Sequence, residues 1–402
     1  MKIYFSAGYS TMFMGVGRPE FDPKGPRRPF DHYLEEVAGG IRALTPHLQL
    51  DEGVIGSFMA ARFINQAHLA GFLPFMFPEL KEKHCVAVEG ACSTGGRALG
   101  QAIRSVLSGL SDITVAVGFE MQTTVKAVYG ADILAGASFY RRDRKEGHAH
   151  FFPAIFDKRA GAYFAKQGEA AVRPALAKWY EQAIKHARTH PKAQEYANKV
   201  ENLYERGMQP ADPKRFLPNL NAFDCSKVSD GAAGILVFNE EGMKKLGLAP
   251  SDCVELIGMG EAERDITRPP EDLTEFSTMR HAAKEAFLGA RLSPHELGML
   301  EIHDCFSISA LLALEAIGLA APGRGFEALL EGIPVPVNLS GGLVGYGHPT
   351  GATGVRQMVD IWEQLTGRAP NQRALASETA MMVNMGGDDV TITSYILRSS
   401  DA

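Results

Sequence analysis

The sequence has little that would commit it to nucleic acid, to a membrane or to a disulfide framework. Lys and Arg total 41 against 47 Asp and Glu, a formal charge of −6, so no global basic field attracts a polyanion. The apolar runs fall well short of the roughly 20 residues that a membrane-spanning helix needs. The amino terminus MKIYFSAGYSTMFMGVG holds one lysine and no continuous apolar core, which does not read as a secretory leader. The carboxy-terminal RSSDA is not a peroxisomal address. Five cysteines (Cys85, Cys92, Cys225, Cys253 and Cys305) are an odd, widely spaced set with no CxxC pair. That pattern suits reduced thiols in a cytoplasm and gives no support to structural zinc, so no metal site is expected.

What is present is an α/β pattern. The 402 residues are 45% hydrophobic, enough chain for two or three domains around a large core. His84–Glu89 (HCVAVE) reads as a buried strand. GACSTGG turns into a helix whose Ala98, Ala102, Ile103, Val106 and Leu107 keep helical spacing, and Asp112–Gly118 is the next strand. The plan recurs: strand-like IPVPVNL (333–339, demoted by its prolines), then SGGLVGYGHPTGATG, then helical VRQMVDIWEQLTG. Strand candidates follow at Met381–Met385 and Asp389–Ile396. Aligning Gly109 with Gly367 places Ile103 on Ile361 and Leu107 on Leu365, a weak internal repeat. Between the halves, residues 121–220 are richer in Tyr, His, Lys and Arg and read as an inserted excursion over the core. Asp224–Phe238 returns to a buried strand.

Three turns carry candidate chemistry. Cys92 follows a strand and opens a helix, where unpaired N–H groups and the helix dipole are expected to lower a thiol pKa. The surrounding Gly90, Gly95 and Gly96 allow close approach of backbone or substrate; the same turn also suits a small buried cysteine at a crowded crossing. His348 in YGHPTGATG sits before another helix, where a histidine serves as a base for a thiol or packs under Pro349. In EIHDCFS, Cys305 is either a proton-shuttling thiol or a core cysteine, and His303 offers an N–H suited to an oxyanion hole. Asp304 reads as structural, orienting a neighbour or capping the helix after it.

These motifs, ACSTGG, DCSKVSDGAA (224–233), HDCF (303–306), GHPTGATG (347–354) and NMGG (384–387), stand in the order of the thiolase superfamily, which the chain resembles over essentially its whole length. HDCF is the form of the sterol-carrier-protein-type thiolases, whose second catalytic cysteine lies in that motif. No sterol-carrier domain is expected after it. The resemblance implies a thiolase fold: two similar βαβαβ-type halves in a five-layered αβαβα arrangement. The halves would span 1–120 with 221–252, and 253–402, with 121–220 as an inserted loop domain covering coenzyme A (CoA) and substrate. It implies an acyl-CoA C-acyltransferase that cleaves a 3-oxoacyl-CoA by thiolysis or runs the reverse Claisen condensation, with CoA thioesters as substrates and no permanently bound cofactor. Cys92 would be the acyl-carrying nucleophile, His348 its base, Cys305 the acid/base on the departing acetyl-CoA, and His303 a donor to the enolate oxygen. Backbone N–H groups of Cys92 and of Gly386, Gly387 or Asp388 would form a second oxyanion hole.

Asp388 and Asp389 depart from the small residues usual in the terminal loop, and both are expected to point outward. The resemblance also implies a homodimer or homotetramer. A thiolase-like subunit needing a small accessory partner, and a decarboxylating ketoacyl-synthase-like enzyme, are the competing readings. Cys305 speaks against the latter and Cys92 against aldol lyases of the superfamily. CoA-binding residues are not identified. Arg141, Arg142, Arg144 and Lys145, or Lys214 and Arg215, are cations suited to its phosphates, though each equally suits a solvated surface. Phe139, Tyr140, Phe151, Phe152 and Phe156 would shape an acyl pocket or pack the insertion. The Pro/Gly/Arg-rich stretch 13–36 reads as a loop over a partner or the active-site mouth.

Overall fold

The computed structural model describes residues 1–144 and 149–401. Among these, nine strands form one hydrogen-bonded sheet in the order β3-β2-β4-β5-β1-β6-β9-β8-β7. They are β1 (Tyr4–Ser10), β2 (Glu52–Gly56), β3 (Cys85–Val88), β4 (Ile113–Met121) and β5 (Asp230–Phe238), then β6 (Val254–Glu263), β7 (Met299–Glu301), β8 (Thr379–Gly386) and β9 (Thr391–Ser399). β4 and β5 are buried along their whole length, as near-continuous apolar runs covered on both faces must be.

The sheet is a duplication joined at its centre. In the first half β2 lies parallel to β3 and β4, while β4–β5 and β5–β1 are antiparallel. In the second, β7 lies parallel to β8, and β8–β9 and β9–β6 are antiparallel. Val337 adds a parallel bridge to Leu300 on the outer side of β7. The expected strand 333–339 is reduced to that bridge because Pro334 and Pro336 carry no N–H for a ladder. The two halves are therefore related strand for strand and meet through antiparallel β1–β6 pairing.

Each half places a helix after its third strand: Thr94–Leu107 and Thr353–Leu365. They end near Gly109 and Gly367, both in the left-handed region (φ +76° and +72°), so the proposed alignment of these glycines falls on equivalent positions. The helices converge at their amino termini. A Cβ on Gly95 would sit 2.7 Å from the Gly354 nitrogen, and one on Gly354 would sit 2.3 Å from the Gly96 nitrogen. The glycines of both motifs serve the approach of backbone to backbone.

The segment between β4 and β5 contributes helices Ala127–Leu134, Phe151–Gln167 and Glu169–Ala187. Phe156, Tyr163, Leu176 and Trp179 share one buried cluster with Leu311, Leu312 and Leu343 of the second half. Two expectations fail locally. HCVAVE is a half-exposed edge strand and not a buried one, because β3 is paired on one side only. Leu107, at the last turn of its helix, is 47% exposed. No helix among the described residues is long and apolar enough to cross a membrane.

Candidate active site

Cys92 lies in a tight turn, Ala91–Ser93, entered through Ala91 at φ +51°. His303 and Cys305 lie between β7 and helix Ser307–Ile317, and His348 just before helix Thr353–Leu365. Sequence positions more than 250 residues apart thus meet in one largely apolar cavity of about 130 Å³. It is lined by Cys92, His303, Cys305, His348 and Gly387, with Phe152, Phe156 and Phe306 on its apolar side.

The hydrogen bonds around the two histidines assign their protons. The Gly96 N–H can only donate, and it points at Asn384 Oδ1 (3.1 Å). The Asn384 amide nitrogen therefore faces the Cys92 carbonyl (3.2 Å) and His303 Nδ1 (3.0 Å). His303 Nδ1 accepts, so its Nε2 carries the proton. Around His348 the order reverses. The Thr353 hydroxyl donates to the Pro349 carbonyl (3.1 Å) and must accept from His348 Nδ1 (2.7 Å). His348 Nε2 is left with a lone pair. The rings lie edge to face, centroids 5.0 Å apart: one a donor, the other a base.

Electrostatics keep both rings neutral. Burial and then the charge of Arg356 pull His348 down to about 3. Burial, His348 and Arg356 likewise hold His303 well below its usual value. Arg356 is fully buried between Glu301 (2.9 Å) and Asp360. The Cys92 thiol is not lowered as its helix-start position implied. Burial and then the Glu120 carboxylate push it up to about 12, against the backbone N–H of Gly387, which favours the thiolate. A helix dipole falls off within a turn, and here desolvation outweighs it. Cys305 is raised well above 9 by burial and by Cys92, and its sulfur lies 3.7 Å from the Ser309 hydroxyl. Both cysteines rest as thiols, so Cys92 needs a base and Cys305 is a proton donor.

Glu120, fully buried at the end of β4, accepts from the Ser57 hydroxyl, the Phe58 N–H and the Thr350 hydroxyl (2.9, 2.7 and 2.9 Å), fixing the GHPT turn. Asp304 takes the indole N–H of Trp179 (3.0 Å) and the Leu343 N–H (2.7 Å). It anchors Gly342–Tyr346 from a distance and does not cap the helix that follows it.

Comparison with known proteins gives the family. The family model described as "Thiolase C-terminal domain-like" matches residues 259–399. The acetyl-CoA acetyltransferase of Methanothermobacter thermautotrophicus is 31% identical over 355 residues, covering 86% of this chain and 88% of that protein. The chain belongs to the thiolase superfamily. Human sterol carrier protein 2 is 26% identical over 413 residues, 95% of this chain and 71% of that one. The solved structure of an "Ltp2-ChsH2(DUF35) aldolase" superposes with a TM-score of 0.77 at 18% identity, covering 99% of this chain and 98% of that chain; at that identity it speaks for the thiolase fold alone.

In this thiolase-superfamily enzyme the terminal loop is arranged differently from its sequence reading in one respect. Asp388 and Asp389 point away from the cavity, as expected, but are tied to partners within the fold. Asp389 receives the Thr278 and Met279 N–H groups (2.9 and 3.0 Å), capping helix Ser277–Ala290. Asp388 pairs with the fully buried Arg159. Both are turned away from the cavity, which only Gly387 of the loop lines. Gly386 abuts the Gly90 carbonyl, 2.2 Å from where a Cβ would stand.

Of the candidate phosphate-binding cations, Arg142 pairs with Asp143 and the Thr267 carbonyl, Arg144 with Asp132, and Arg215 with Asp212. Arg141 and Lys214 are exposed, and Lys145 lies outside the described residues. Phe152 and Phe156 line the cavity, Phe151 lines a neighbouring one, Phe139 stacks on Arg142, and Tyr140 donates to Asp132 (2.8 Å). His190, Asp360 and Glu363 converge within 4.8 Å of one another elsewhere. There Lys192 N–H donates to His190 Nδ1 (3.3 Å), which puts the proton on the nitrogen that would have to bind a metal.

Sequence reasoning missed Asn384, Thr353, Glu120 and Arg356. The first two carried a faint signal, as polar side chains inside the otherwise small-residue motifs NMGG and GATG. Nothing local signals Glu120 or Arg356.

Proposed function

We propose that the protein is an acyl-CoA C-acyltransferase that cleaves a 3-oxoacyl-CoA by thiolysis, or runs the reverse condensation, through an acyl-Cys92 thioester. The observation that carries this is the pair of oppositely protonated histidines facing one cavity with two thiols. His348 Nε2 takes the Cys92 proton as sulfur attacks the 3-carbonyl, whose oxygen develops charge beside the Gly387 N–H. The C2–C3 bond breaks, leaving an acyl-Cys92 and the enolate of acetyl-CoA. His303 Nε2–H stabilises that enolate oxygen and Cys305 protonates its carbon. Incoming CoA, its thiol proton left to solvent, attacks the thioester as a thiolate and releases acyl-CoA; the Cys305 thiolate regains a proton from solvent, and Cys92 recovers its own from His348. The neutral His348 and the thiol form of Cys305 suit this order of proton transfers. No permanently bound cofactor enters it. A ketoacyl-synthase-like decarboxylation has no use for Cys305 in the cavity.

The test is Cys305→Ala. Acylation of Cys92 by acetyl-CoA, followed as exchange with labelled CoA, should continue while cleavage of acetoacetyl-CoA falls by at least about 10². Equal loss of both reactions would overturn the division of roles.

A second reading, that a small accessory subunit completes the CoA site, is favoured by one feature. Lys227 is the cation lining the cavity, and it is already paired with Glu195. The aldolase of similar fold, Ltp2-ChsH2(DUF35), carries a DUF35 component in its name. The unpaired edge of β3, with Val86 and Val88 half-buried, supports a homo-oligomer closing over it. Five free cysteines support a cytoplasmic setting.

A further inference from the structure

Beside the catalytic cavity lies a second, larger one of about 410 Å³. Gln122, Leu134, Phe152, Pro153 and Val228 line both, so the two are separated only by these side chains. The floor of the second chamber comes from the amino-terminal loop (Val16, Phe21, Pro23) and from Val125, Ala127 and Ala131 at helix Ala127–Leu134. We propose that this chamber receives the distal part of the acyl group carried on Cys92, so that the enzyme is selective for thioesters with a bulky apolar acyl group, medium-chain or aryl. The proposal rests on the acyl-Cys92 reading above.

Three observations carry it. First, the catalytic cavity by itself is small. About 150 Å³ holds a benzene molecule, so 130 Å³ around the sulfur leaves room for an acetyl group but not for a long chain or an aryl ketone. Second, Arg27, Gln122 and Thr123 of the chamber's lining are committed elsewhere. Arg27 donates to the carbonyls of Thr123, Asp22, Gly25 and Pro23 (3.0, 2.8, 2.9 and 3.0 Å). Gln122 donates to the Thr350 hydroxyl and accepts the Ser229 N–H, and Thr123 gives both its donors to Asp230. A pantetheine arm would bury its amides there without partners, which is costly, whereas a hydrocarbon loses nothing. Third, the dividing wall is deformable in kind. Leu134 and Phe152 are partly buried side chains on the margin of a small cluster with Phe58, Ala91 and Ala137, and no hydrogen bond of theirs need break for a chain to pass between them.

The experiment compares thiolysis of 3-oxobutanoyl-, 3-oxodecanoyl- and 3-oxo-3-phenylpropanoyl-CoA by the wild type and by Ala131→Phe, which fills the second chamber without touching the first. Wild-type kcat/KM should be at least about tenfold higher for the two larger substrates. Ala131→Phe should remove that advantage and leave 3-oxobutanoyl-CoA within twofold, which also reports that the variant is folded. Should it be inactive on all three, Ala131→Leu gives the same comparison with a smaller group. A wild type indifferent to acyl size, or a filled chamber that raises KM equally for every thioester, overturns the proposal. In the second case the space would belong to the CoA arm. If no thioester acylates Cys92, the catalytic reading fails first; an acetyl adduct without discrimination refutes the chamber alone.

Discussion

Replacing Asn384 by leucine isolates the role of a proton that no titration sets. Leucine keeps the volume and removes both ends of the amide. Gly96 N–H loses its acceptor, and His303 loses the donor that makes Nδ1 an acceptor. Without that restraint His303 is free to carry its proton on Nδ1 and present a lone pair where enolate charge develops. Removing an oxyanion-hole donor costs about 2.7–4 kcal/mol, or 10²–10³ in kcat, so C–C cleavage should fall by that factor. The orphaned, buried Gly96 N–H should cost a further 1–3 kcal/mol of stability, roughly. Two assays separate the effects: urea unfolding for stability, and paired rates for acetoacetyl-CoA cleavage and for acetyl exchange between Cys92 and CoA. Exchange does not pass through the enolate and should keep most of its rate. If cleavage and exchange fall together, or neither falls, the assignment of the His303 proton is wrong.

Three more outcomes follow. His348 is held at about 3, so Cys92 acylation should stay on its plateau as pH falls through 6.5; an acid limb near 6.5 that His348→Asn removes would contradict the burial argument. The sign for stability is fixed too. The unfolded chain takes up the proton that folded His348 refuses, so stability falls as pH drops from 6.5 towards 3, and His348→Asn should flatten that slope in thermal melts. Asp388→Ala leaves the Arg159 guanidinium buried beside Phe276 without its carboxylate. Losing one partner of such a pair costs about 3–5 kcal/mol, which denaturant titration measures, and a loss under about 1 kcal/mol would show the pair to be incidental.

The sequence was most readable where chemistry and backbone geometry coincide. ACSTGG, HDCF and GHPTGATG each combine a reactive side chain with a turn that has to be tight, and the structure brings all three to one cavity. The duplication was visible at Gly109 and Gly367 because a left-handed helix end leaves a mark in sequence, whereas the counterpart of β3, read as a strand at 333–339, is cut by Pro334 and Pro336 to a single bridge. Charge was misread for a consistent reason. The helix start at Cys92 argued for a low pKa, but depth is not local information, and burial sets the result. Asp388 and Asp389 looked like surface residues because their partners, Arg159 and the amino terminus of helix Ser277–Ala290, lie 229 and about 110 positions away. Asn384 and Arg356, which set the state of the histidines, act only through three-dimensional neighbours.

The central claim is that Cys92 carries the acyl group. The direct measurement mixes the protein with acetyl-CoA, quenches in acid, digests, and locates the adduct by mass spectrometry. One acetyl group is expected on the peptide containing Cys92, discharged by added CoA and absent in Cys92→Ser. An adduct on Cys305, Cys85 or Cys225, or none on any cysteine, would contradict the claim.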